Sequence, residues 1–167
     1  MKTRKLAELG LLTALALIIF IIELRLPNLT PIPGVKLGLA NIITVYAVFR
    51  YKPHETAMLV AARVLLGAMF SGNLSALIYS AAGTLLCLGG MLAVRGFIPP
   101  NWVWLASMVG AVFHNIGQIT AAMLVMQTTA VIGYLPVLLF SGCVAGLFTG
   151  LAAQFILKRL EQRKPPQ

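Results

Sequence analysis

Lys36, Asn41, Arg63, His114, Asn115 and Gln118 bring charge, donors and acceptors into stretches of sequence that are otherwise apolar. A charged group at bilayer depth costs several kcal/mol and normally faces a protein interior or an aqueous cavity. Arg63 follows Glu55 by eight residues. At 1.5 Å per residue this puts it roughly 12 Å into a helix starting at Glu55, close to mid-membrane. Two readings fit such a residue: a cation that caps carbonyls or pairs with a helix end, and a fixed positive charge for an anionic solute. Ser107, Gly110, His114 and Gln118 recur at three- and four-residue spacing and so share a helix face, with Asn115 beside them. Imidazole, carboxamide and hydroxyl groups suit a polar ligand in an apolar pocket, and they equally suit an interhelical hydrogen-bond network. A lone histidine without a carboxylate or thiolate partner is not a metal-ligand set, so no metal and no cofactor are expected.

The stretch Pro33-Gly34-Val35-Lys36-Leu37-Gly38-Leu39-Ala40-Asn41 combines a helix-opening proline, two glycines four residues apart, a lysine and an amide. A helix start here would offer free N–H groups with positive dipole, and Lys36 would add a full charge, giving an anion site near the outer surface. In the competing reading Lys36 meets lipid phosphate and the glycines pack helices. Together, Lys36, Arg63 and His114 predict an outward-opening pocket for a small anionic or strongly polar solute.

The elements that must position these residues follow from composition. Of 167 residues, 59% are hydrophobic and the mean hydropathy is +0.92, which marks a membrane protein rather than an ordinary soluble domain. The acids are Glu8, Glu23, Glu55 and Glu161, and there is no aspartate, which excludes chemistry that needs aspartate ligands for Mg²⁺. The net charge of +9 resides at the termini and in short gaps between apolar runs, as membrane topology requires, so nucleic acid is not an expected partner. Cys87 and Cys143 lie in apolar runs and read as small buried side chains.

Spanning about 30 Å of hydrocarbon takes roughly 20 helical residues. Six apolar segments predict an all-α fold of six transmembrane helices in one domain, over about 6–22, 35–49, 55–70, 74–94, 102–126 and 134–157. The small-residue run Ala14-Leu15-Ala16 sits inside the first segment rather than after it, so this segment reads as a mature helix and not as a cleaved signal. Lys2, Arg4 and Lys5 at one end, with Lys158, Arg159, Arg163 and Lys164 at the other, place both termini on the cytoplasmic side of the membrane. Arg50, Lys52 and Arg95 then fall inside as well. Glu23, Arg25 and Lys36 fall outside and call for a reason other than topology. The connection 23–34 carries Pro27, Pro31 and Pro33, which forbid a helix and favour a stiff path over an outward pocket, or a plain linker. Gly142, Gly146 and Gly150 predict close approach of the sixth helix to another helix of the same chain. Ala7, Gly10 and Ala14 form a smooth stripe on the first helix, open to an internal or an external neighbour.

The blocks Pro33 to Asn41, Arg63-Val64-Leu65-Leu66-Gly67, His114-Asn115-Ile116-Gly117-Gln118 and Tyr134-Leu135-Pro136 resemble the bacterial membrane family of Gx transporters, also labelled heptaprenyl diphosphate synthase component I. That family is similar to the substrate-binding S components of energy-coupling factor transporters. The resemblance implies a six-helix bundle that captures a micronutrient from outside. It also implies a membrane coupling subunit and two ABC ATPases as partners, with the coupling subunit docked on Ala7, Gly10 and Ala14. The family's two labels diverge, and chemistry separates them. All-trans prenyl diphosphate synthases hold Mg²⁺-diphosphate through aspartates that this chain lacks, so an enzyme is not expected. A non-catalytic accessory role in prenyl or quinone metabolism stays open. The chain also has no G-x-x-x-x-G-K-[ST] loop, so ATP-driven transport would need a second polypeptide.

Overall fold

The computed structural model describes residues 3–25, 38–71 and 74–162, and all of the regular structure among them is helical. The helices are α1 (Thr3–Arg25), α2 (Asn41–Arg50), α3 (Pro53–Ser71), α4 (Leu74–Arg95), α5 (Val103–Met126) and α6 (Leu135–Gln162). Short 3-10 turns, Pro100–Trp102 and Ala130–Tyr134, precede α5 and α6. Local chemistry sets several of the boundaries. Pro53 opens α3 at the position where a missing N–H costs nothing. α5 stops at Gln127, which takes φ 53°, and its Nε2 donates to the Leu124 carbonyl at 3.1 Å, satisfying one of the orphan acceptors there.

Among the described residues, four helical stretches are long and apolar enough to cross a membrane: Thr3–Glu23, Leu77–Arg95, Val103–Met126 and Ala130–Leu160. α3 carries His54, Glu55 and Arg63 and is correspondingly less apolar, and α2 is a shorter apolar helix of 10 residues. The second helix departs from its expected start near Val35. Gly38 adopts φ +66°, its carbonyl accepts the Asn41 N–H at 2.8 Å, and α2 begins at Asn41. A left-handed residue cannot sit inside a right-handed helix, so Gly38 lies before α2 and not within it. Lys36, Gly34 and most of the proline-rich connection lie outside the described residues.

α2 is the inner element, with Thr44, Val45, Ala47 and Val48 all buried. One of its faces joins Cys87, Leu88 and Met91 of α4, Val103 of α5 and Ala153 of α6. The other meets Leu9 of α1 and Leu59 and Val60 of α3. α4, α5 and α6 approach almost to backbone contact. A Cβ added at Gly117 would lie 2.7 Å from the Ala82 carbonyl oxygen and 2.8 Å from Gly83 Cα. One at Gly146 would lie 3.0 Å from Met108 Cα, and one at Gly150 2.5 Å from Trp104 Cα. The glycine ladder of α6 therefore serves a contact within the chain, against α5. On α1, by contrast, Ala7, Gly10 and Ala14 are all exposed, and a Cβ on Gly10 would touch nothing.

Candidate functional site

Arg63 projects from the second half of α3 toward the start of α2. Its Nη1 donates to Asn41 Oδ1 at 3.2 Å and to Thr44 Oγ1 at 3.0 Å. The guanidinium thus braces the start of α2 and also lines a cavity of about 340 Å³. Asn41, His114, Asn115 and Gln118 line the same cavity. The residues that the sequence singled out thus reach the cavity from three helices: Asn41 from α2, Arg63 from α3, and the His114 cluster from α5. Lys36 falls outside the described residues and has no placement relative to them.

Further residues complete the walls. α1 contributes Phe20 and Glu23, the α2 entrance Gly38, α4 Tyr79, Ser80, Cys87 and Met91, and α6 Gly142, Gly146 and Thr149. Glu23 Oε1 accepts the Gly38 N–H. This fixes the carboxylate beside the start of α2 and explains why a charge stands at the end of an apolar helix. The charge itself was visible in the sequence as a departure from topology. Its partner was not, because nothing local links residues 23 and 38. Asn115 is buried and donates through Nδ2 to the Leu138 carbonyl, so it ties α5 to α6. Ser107 and Thr149 bridge the same two helices at 3.1 Å. Gly83 makes room for the cluster on α5: a Cβ there would lie 2.8 Å from Gln118 Cγ and 3.0 Å from His114 Cε1.

The opposite end of the bundle holds a second polar group of different character. Lys5 Nζ meets Glu55 Oε1 at 2.7 Å, and Glu55 Oε2 accepts the Lys52 N–H at 3.0 Å. Glu55 is only 3% exposed. Arg95 donates to the Tyr51 carbonyl at 3.0 Å, the Tyr51 hydroxyl donates to Glu8 Oε2 at 3.4 Å, and Lys5 lies 5.8 Å above the Tyr51 ring. Burial pushes the Tyr51 phenol up to about 12, with Tyr46 and Glu8 adding to the rise. These contacts fasten the start of α1, the α2–α3 corner and the end of α4 together. They form a clasp.

Among the described residues no three His, Cys or Glu side chains converge as a metal site would need. The fold and the cavity together define a class: an all-helical membrane protein with a mixed polar and apolar chamber inside the bundle. Within that class, the chain belongs to the heptaprenyl diphosphate synthase component I family, whose model matches residues 12–156. No curated protein and no solved structure matches the chain.

Proposed function

We propose that the chain is a substrate-binding membrane subunit, of the S-component kind, that captures a small anionic or polar solute for uptake. The observation that carries this reading is the convergence of Asn41, Arg63, His114, Asn115 and Gln118 on one cavity, whose volume of about 340 Å³ suits a small molecule. The chamber is polar where these side chains point and apolar at Phe20, Val45 and Met91, the mixture that orients a ligand and desolvates it. A 10-residue α2 covers roughly 15 Å, about half of the hydrocarbon thickness, so its N-terminus ends at depth beside Arg63. Half-helix N-termini at that depth favour an anionic group.

In this reading all six helices cross or enter the inner membrane and both termini are cytoplasmic. The basic residues Lys5, Lys52 and Arg95 at the clasped end support that orientation. Trp102, 52% exposed and stacked on Trp104, suits the headgroup level at the same end. Ala7, Gly10 and Ala14 would receive a coupling subunit, with two ABC ATPases supplying the ATP hydrolysis for which this chain has no phosphate loop. Purified protein in detergent, titrated with a panel of vitamins, nucleotides and prenyl phosphates, is expected to show saturable binding of one class, weakened at least about tenfold by Arg63→Ala. A panel without a binder would overturn the reading.

The family's description favours a second reading, in which the chain is a non-catalytic component that holds a soluble prenyltransferase at the membrane. The word "component" implies a partner subunit in either case. Affinity purification separates the two readings. ATPase subunits in the eluate support uptake, and a prenyltransferase without them supports the accessory role.

A further inference from the structure

The cavity contains both signs of charge. Arg63 and Glu23 line it together, yet they are not joined: the ion pairs among the described residues are Arg4–Glu8 and Lys5–Glu55. Each is instead held by a neutral partner, Arg63 by the Asn41 and Thr44 oxygens and Glu23 by the Gly38 N–H. Opposite charges inside an apolar bundle gain most by meeting, and charges that stay apart at depth carry an uncompensated desolvation cost. Neutral tethers that hold them apart keep a gap that a ligand can bridge. Building on the solute-binding reading, we propose that the cavity takes a dipolar solute, with its anionic group at Arg63 and a protonated amine at Glu23.

A purely anionic ligand leaves Glu23 without an ion-pair partner among the described residues and adds a second negative charge to the same chamber. A purely cationic one fails at Arg63 in the same way. A zwitterion satisfies both and brings no net charge into the membrane interior, which lowers the cost of its capture. The apolar walls at Phe20 and Met91 then accommodate the methylene chain between its charges.

The test is calorimetric titration of the purified full-length protein with two matched series. One comprises 5-aminopentanoate, pentanoate and pentylamine, the other phosphoethanolamine, ethyl phosphate and ethanolamine. Within a series the zwitterion is expected to bind roughly tenfold to a hundredfold more tightly than either singly charged analogue. Glu23→Gln keeps an oxygen for the Gly38 N–H and so preserves the fold, and it is expected to erase the preference over the anion. An anion that binds as well as its zwitterion in the parent, or a preference for the zwitterion that survives in Glu23→Gln, overturns the proposal and leaves solute binding intact. Failure of every probe to bind overturns the proposal for solutes of this size, whereas the wider panel above judges solute binding itself. Mass spectrometry of material that co-purifies gives an independent measurement: a basic nitrogen together with an acidic group is expected, and an acid without a basic nitrogen is contrary to the proposal.

Discussion

Where α1 begins, Lys5 and Glu55 meet at 2.7 Å, and Arg4 lies 3.5 Å from Glu8. Where α1 finishes, Glu23 and Arg63 share a cavity without touching. The same residue types thus follow opposite rules at the two ends. Charges that meet one another fix the arrangement of helices, and their attraction is spent within the protein. On the proposed reading, charges held by neutral partners leave their attraction for a solute. The pairing pattern, more than the number of charges, tells a structural cluster from a receptive one.

The comparison can be broken most forcefully at the clasp. Glu55→Ala strands a half-buried Lys5 and frees the Lys52 N–H, and the melting temperature in detergent is expected to fall by several degrees while affinity for solute is unchanged in the folded fraction. Arg63→Met is expected to do the reverse, abolishing binding while the melting temperature shifts by at most about two degrees, since it removes an unpaired interior charge. A large loss of stability in that variant would put Arg63 in the same structural category as Glu55. Tyr51 sharpens the contrast through pH. Its phenol is pushed up to about 12 in the folded protein against an ordinary value of 10.0, so its contribution is fully present below pH 10 and is lost as the pH rises toward 12. Stability of the parent is expected to fall in that interval, and Tyr51→Phe to flatten the fall. The smallest effect belongs to Arg4→Ala. The Arg4 side chain is 92% exposed, and neither stability nor binding is expected to change measurably, with or without added salt.

Much of the candidate site could be read from the chain because charge and amide groups inside apolar runs stand out against their neighbours. Arg63, His114 and Gln118 were visible for that reason, and the spacing on α5 put His114 and Gln118 on one face. The ladder Gly142, Gly146, Gly150 was legible as a close helix contact because a four-residue glycine repeat has few other uses. Relations between distant segments were hidden. Nothing near Glu23 announces Gly38, and nothing near Lys5 announces Glu55, since both pairings exist only after helices have packed. The late start of α2 was also hidden. A glycine between apolar residues looks the same whether it lies inside a helix or turns the chain with φ +66°.

The glycines that bring α6 onto α5 and α5 onto α4 also decide which parts of the molecule are free to shift. Main chain lies against main chain from Gly83 to Gly117 and from Gly146 and Gly150 to Met108 and Trp104, leaving no room for a side chain between them. α1 meets α3 differently, through a flexible ring, with Phe20 set over Gly67. On the solute-binding reading, a ligand between these two halves would rest against the close-packed wall on one side and, on the other, against the helix that carries both Glu23 and the exposed stripe of Ala7, Gly10 and Ala14.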